Sequence, residues 1–266
     1  MKLAMFAAAA ALLLAGPVQA QTPTVQVFAA GSLRGVVGDL ANQAGPALGI
    51  EVKGEFGGSG SMRERIEKGE KPDLLLSADM GSPEKLQAAG RTVVPVIAFA
   101  RNRECVVSRK VLGVTPANLV GKLLDPKVRL KTSQPVADPS GDYTWAIFDK
   151  IDAQRPGAGK TLKAKAEANM SLSAEPAQGQ TAQAALFAQD KVDMTIVYCS
   201  AAVDKELPNL LTSFPIPAAL DPHPVYGAAV LTNRPEALRL ALYLLSEQGQ
   251  AIVAKNGLVP LLDGAR

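Results

Sequence analysis

A chain of 266 residues with a formal charge of +3 is long enough for one large or two medium domains and sits close to neutrality. It carries no basic block or arginine-rich helix, so nucleic acid and anionic membrane surfaces find no electrostatic footprint on it. Apolar residues make up 47% of the chain but aromatics only 5%, so a core must be built from Ala, Val and Leu, as an ordinary α/β fold allows.

Residues 1–20 start with Met1 and Lys2, run apolar from Leu3 to Ala15 and end Gly16-Pro17-Val18-Gln19-Ala20. A positive start, an apolar run too short for a bilayer and a small-x-small ending predict a cleaved secretory leader. Gln21 is the expected mature start and the periplasm the expected compartment. No cysteine lies near the junction, so no lipid tether is expected there.

Val25 to Ala30 reads as a strand that ends in Gly31-Ser32, and Leu33, Val36, Val37, Leu40 and Ala41 then recur at helical spacing. Ile50 to Phe56 alternates as a second strand and feeds Gly57-Gly58-Ser59-Gly60-Ser61, then a helix from Met62 to Lys68. Asp73 to Ser77 is a third strand, and Ser82-Pro83 opens a helix that Gly90 closes. Strand and helix in alternation predict a mainly parallel sheet with crossover helices.

Val94 to Ala100 leads on to Cys105-Val106-Val107. A second α/β unit follows, with strands at Val128 to Thr132, at Ala137 and at Val192 to Tyr198. Helices are expected near Thr144 to Ile151, Gly159 to Ala168 and Thr181 to Gln189. Pro215 to Pro224 reads as a connection and holds the chain's one histidine, His223. Val225 to Leu231, Glu236 to Ser246 and Gln248 to Asn256 read as a strand and two helices, the strand suited to rejoin the first sheet.

Cys105 and Cys199 are expected to pair in an oxidising compartment, with two buried free thiols as the alternative. Several chemistries find little support. Gly159-Lys160-Thr161 resembles the end of a P-loop, but Gln154 stands where its first glycine belongs. One histidine between prolines suits no Ser-His-Asp triad, and Cys105, Cys199 and His223 share no metal-ligand spacing. Asp138 and Asp142 read as turn and capping acids around Pro139 more readily than as an acid-base pair.

A small dianion must be met by hydrogen-bond donors, and helix N-termini supply them from unpaired backbone N–H groups. Two glycine-serine turns fall at the carboxyl ends of strands one and two, where ligands of open parallel sheets bind. In the first, Gly31 permits close approach and Ser32 offers a hydroxyl and an N–H; a plain N-cap role for Ser32 is the alternative. In the second, Ser59 sits between Gly58 and Gly60. Ser61-Met62-Arg63-Glu64 spells a capping box and reads as structural.

Val27-Phe28-Ala29-Ala30-Gly31-Ser32-Leu33, Phe56-Gly57-Gly58-Ser59-Gly60-Ser61 and Pro72-Asp73-Leu74-Leu75-Leu76-Ser77-Ala78-Asp79 resemble the periplasmic molybdate-binding proteins of ABC transporters. Ala137-Asp138-Pro139, Ile196-Val197-Tyr198 and Gly249-Gln250-Ala251 extend the likeness, more weakly, across the rest of the chain.

The resemblance implies a type II periplasmic-binding-protein fold with two α/β lobes, 21–100 plus 225–266 and 101–224, hinged over an oxyanion. Ser32 and Ser59 would donate from the first lobe. Backbone amides near Asp142 or Tyr143 and near Gln180, with the Tyr198 hydroxyl, would donate from the second. This chain departs from the family at Ser140-Gly141-Asp142-Tyr143, about one residue shorter. A carboxylate at Asp142 would oppose a dianion, so it is expected to turn outward and cap a helix from Thr144. Also implied are a monomer, no catalysis, no cofactor or directly liganded metal cation, and delivery of molybdate or tungstate to an inner-membrane permease. Sulfate or an organic carboxylate is the alternative cargo, and an exported enzyme a third reading.

Overall fold

The computed structural model describes residues 22–261; the expected leader and the expected mature start at Gln21 lie outside them. The first sheet begins with β1 (Thr24–Ala30), β2 (Glu51–Gly57), β3 (Leu74–Ser77) and β4 (Ile97–Arg101), linked by α1 (Arg34–Leu48), α2 (Ser59–Glu67) and α3 (Gly81–Ala88). Asn102 and Arg103 carry the chain across to a second sheet of β5 (Glu104–Arg109), β6 (Leu130–Lys131), β7 (Met194–Tyr198) and β8 (Leu211–Pro215). Its helices are α4 (Leu119–Leu124), α5 (Pro139–Gln154), α6 (Ala158–Asn169) and α7 (Ala182–Ala188). The chain then returns through β9 (Val225–Val230), α8 (Pro235–Leu245), α9 (Glu247–Lys255) and β10 (Val259–Pro260).

The strand orders are β10-β4-β9-β3-β1-β2 and β6-β7-β5-β8. Most strands in each sheet share one direction, although the reversed strands make five of the eight neighbouring pairs antiparallel. In the first, β1 to β4 run one way while β9 and β10 run against them; in the second, β5 alone opposes β6, β7 and β8. The reversed strands β5 and β9 are those entered directly from a crossing. A two-residue link suffices between β4 and β5 because no crossover helix is needed.

Val36, Val37, Leu40 and Ala44 recur every three or four residues on α1 and bury one face against β1 and the C-terminal helices. Gly49 ends that helix at φ 66°, a left-handed turn that favours glycine. Asp73, buried at the head of β3, accepts from the Gln26 N–H (2.8 Å), from Thr232 Oγ1 (2.9 Å) and from Arg234, which ties β1 to the chain beyond β9. The second lobe repeats the device with Asp193, which receives Arg129.

Cys105 and Cys199 form a disulfide across a separation of 94 residues. By chain entropy, closing so long a loop contributes about 4–5 kcal/mol.

Several expectations need correction. Ala137 is not a strand: residues 135–137 form a turn, and α5 begins at Pro139 rather than near Thr144. Asp138 is its N-cap, accepting from the Ser140 N–H at 3.1 Å, with Pro139 at the first helical position. The capping box at Ser61 does not form, because α2 starts two residues earlier, behind Gly58. Helix α4 and strands β8 and β10 carry no expectation in the sequence reading; β8 is an edge strand, where Pro215 costs no ladder bond.

Candidate functional site

A cavity of about 280 Å³ lies between the two sheets. The first lobe contributes Ala30, Gly31 and Ser32 from the end of β1 and Gly57 and Gly58 from the end of β2; the second contributes Ser133, Asp138, Ser140, Gln183, Val197, Tyr198 and Ala201. The turns after β1 and β2 meet there because those strands pair in register, Ala30 opposite Gly57. The two lobes touch across it. Tyr198 from β7 packs against Tyr226 of β9 with ring centroids 5.5 Å apart, inside the first lobe's core.

Ser32 caps no helix. It lies in a short 3-10 turn, Gly31–Leu33, with its Oγ 3.0 Å from the Tyr226 hydroxyl. Ser59, fully buried directly behind Gly58, accepts from the Ala78 N–H at 3.0 Å. The Tyr198 hydroxyl donates to the Ala78 carbonyl at 3.3 Å, so one residue of the first lobe anchors both Ser59 and the opposing tyrosine. Burial pushes the Tyr198 phenol well above its usual range and keeps its proton in place.

Ser59 is not itself among the lining residues, and three further expected positions fall elsewhere. Asp142 is exposed, and its Oδ1 turns back to accept from the Val136 N–H at 2.9 Å; it caps the loop before α5, since that helix starts too early for it to cap the N-terminus. Tyr143 stands behind the cavity, edge-on to Tyr198 at 6.2 Å. Gln180 lies on the turn before α7, where its Oε1 accepts from the Ala177 N–H at 3.3 Å. Gln183, on the first turn of α7, lines the cavity instead.

Ser133, Ser140 and Gln183 are polar lining residues that sequence reasoning did not single out, and Asp138 was read there only as a turn or capping acid. The Asp-Pro pair is an N-cap signal that would have drawn attention to the residues of the first turn. Ser140 is 4% exposed and its Oγ has no hydrogen-bond partner. A buried, unpaired hydroxyl costs roughly 1–3 kcal/mol, and a ligand in the cavity would satisfy it. Asp138 is the one carboxyl among the lining residues, and burial raises it above the ordinary carboxylate range. Protonated, it donates; ionised, it opposes a dianion.

A second hollow of about 350 Å³ in the second lobe shares Ser133, Gln183 and Val197 with the cavity wall. Met170, Leu172 and Leu186 line it, and its Lys131 ammonium is given to the Met170 carbonyl.

Glu104 opens β5, opposite Tyr198 in register, fully buried and with both carboxylate oxygens unpaired. Burial, then the charges of Asp138 and Asp221, push it well above its ordinary 4.5. A raised acid stabilises the fold fully below its unfolded value, and that contribution is lost as pH rises through the folded value. The unsubstituted protein is therefore expected to lose about 1.4 kcal/mol per pH unit relative to Glu104→Gln, from pH 4.5 up to that folded value. Thermal unfolding across that range checks it; parallel curves for the two proteins would contradict it.

The chain belongs to the bacterial extracellular solute-binding protein family, whose pattern matches residues 25–259. It is 34% identical over 243 residues to an uncharacterized protein, PM1146, of Pasteurella multocida (strain Pm70), covering 89% of this chain and 98% of that one. It is 28% identical over 223 residues to the molybdate-binding protein ModA of Escherichia coli (strain K12), covering 79% of each. In structure it resembles the periplasmic molybdate-binding protein of Azotobacter vinelandii, with a TM-score of 0.70 at 20% identity over 88% of this chain and 98% of that one. It therefore has the type II periplasmic-binding-protein fold. The sulfate-binding protein SubI of Mycobacterium tuberculosis H37Rv and iron-bound HitA of Pseudomonas aeruginosa have similar folds.

Proposed function

We propose that the protein captures a small tetrahedral oxyanion, molybdate or tungstate by preference, between its lobes and delivers it to an ABC permease of the inner membrane. One observation carries this reading: uncharged donors from both lobes line one cleft, and the buried Ser140 Oγ there lacks a partner. Ser32, and Ser59 from behind Gly58, act from the first lobe; Ser140 acts from the second, joined by Tyr198 once its hydroxyl leaves the Ala78 carbonyl. An anion held by both lobes shifts the hinge equilibrium toward contact, the form a permease would recognise. Family membership and the likeness to ModA support the cargo class.

Calorimetric titration with molybdate, tungstate, sulfate and phosphate tests it. Heat is expected from the two metal oxyanions; none from them, beside binding of an organic acid, would overturn the choice. An anion with an organic arm is the second reading, favoured by the hollow that shares Ser133, Gln183 and Val197 with the cleft.

A further inference from the structure

We infer that the hollow beside the cleft is a second ligand site, for a small organic monocarboxylate whose apolar chain lies within the second lobe and whose head pairs with Lys131. The site is additional to the cleft and stands or falls independently of the oxyanion reading.

Strands β6 and β7 run parallel, with Lys131 opposite Thr195. The chain leaving α6 is tied to β6 at two points: Asn169 Nδ2 donates to the Leu130 carbonyl at 3.1 Å, and Lys131 donates to the Met170 carbonyl. Together with α7 these elements wall a space of about 350 Å³, the size of a small-molecule site. Leu172, Ala174 and Leu186 give it apolar sides. Its two threonine hydroxyls are engaged: Thr132 Oγ1 donates to the Ser133 carbonyl at 3.2 Å, and Thr195 Oγ1 accepts from Gln183 Nε2 at 2.9 Å. Lys131 is the one charged residue among those that line it.

That charge has no answer within the lobe. Arg109 and Arg129 each hold Asp190 and Asp193. Among the described residues Lys131 holds no carboxylate, and burial alone acts on its ammonium, lowering it from its ordinary 10.5. A carbonyl takes up only one of an ammonium's three protons. A carboxylate in the hollow supplies the missing charge, and one positive group calls for one negative group. The apolar sides call for a hydrocarbon chain, because each methylene withdrawn from water there adds to affinity. Ser133, Gln183 and Val197 line both spaces. Gln183 is held at that junction by Thr195, so an acid in the hollow and an anion in the cleft share a wall rather than a position.

The test is calorimetric titration of the full mature protein near neutral pH, with and without saturating molybdate, using straight-chain carboxylates from butyrate to octanoate and the alcohols of matching length. Affinity is expected to rise roughly fourfold with each added methylene until the hollow is filled. The alcohols are expected to bind roughly tenfold more weakly, for want of the charged pair. Lys131→Met should abolish the preference for acid over alcohol and Lys131→Arg should keep it, with molybdate affinity unchanged in both. If Lys131→Met fails to fold, Ala182→Leu serves: this exposed residue stands at the rim of the hollow, and the added bulk should shorten the longest chain accepted. No uptake of any acid, equal affinity for acid and alcohol, or displacement of molybdate by the acids would overturn the inference. Uptake of the acids by a protein that takes no molybdate would keep the second site and remove the oxyanion reading instead.

Discussion

Replacing Ser32 and Ser59 together with alanine is expected to weaken oxyanion binding by roughly two to four orders of magnitude. Each change removes a donor to a charged acceptor, worth about 1.5–3 kcal/mol. The fold should survive with a smaller loss. Ser59→Ala leaves the Ala78 N–H without its acceptor, and Ser32→Ala takes a hydrogen-bond partner from the Tyr226 hydroxyl, each a local cost inside the first lobe. Calorimetry of the double variant, beside its thermal unfolding curve, separates the two effects. Unchanged affinity in a folded double variant would place the binding site elsewhere.

Gly60→Ala is expected to act in the opposite sense on stability and in the same sense on binding. Gly58 and Gly60 flank Ser59, and the second lobe's backbone rests directly on them: a Cβ at Gly60 would overlap the Val136 carbonyl oxygen, and one at Gly58 the Ala137 carbonyl oxygen. The Ser61 N–H reaches the Ala137 carbonyl at 3.4 Å. Val136 holds φ 70°, a costly conformation for a β-branched residue, steadied by Asp142 on its N–H. These glycines therefore serve lobe-to-lobe contact as well as access of an anion to backbone.

Alanine at position 60 meets no close atom of its own lobe among its nearest neighbours and removes the entropy cost of glycine within α2, about 0.5–1 kcal/mol. The contact between lobes pays instead, by about 1–3 kcal/mol of overlap, so affinity should fall roughly ten- to hundredfold. Small-angle scattering with and without molybdate would show the variant failing to compact. A variant that compacts and binds normally would mean the Val136 contact is dispensable.

The first lobe was legible because its strands are short apolar or alternating runs, the first two ending in glycine-serine turns, and each is followed by a helix start, from Val25 through Ala88. The same turns exposed Gly31, Ser32 and Ser59, since a donor-rich helix entry at a strand's carboxyl end is local in sequence. The second lobe's wall was not local. Ser140 counts because α5 starts at Pro139, five residues before its expected start, which points different side chains at the cleft; α7 was placed to within a residue, but nothing local says that its Gln183 faces the other lobe. Placing the helix start near Thr144 with Asp142 as its cap passed over the Asp138-Pro139 cap, and Gln180 was favoured over a glutamine three residues on. Strand β8 was missed because Thr212 and Ser213 break its apolar run. The pairing of Ser32 with Tyr226 spans 194 residues and that of Asn102 with Tyr226 spans 124, so no local pattern announces them.

The central claim is that uncharged hydroxyls and amides of two lobes enclose one oxyanion. A crystal of the mature protein grown with molybdate, read by anomalous scattering at a molybdenum absorption edge, tests it most directly. The account predicts one strong peak in the cleft, with Ser32, Ser59, Ser140 and Tyr198 around it and Asp142 facing solvent. A peak away from that cleft, or Ser32 and Ser59 opening onto separate surfaces, would contradict it.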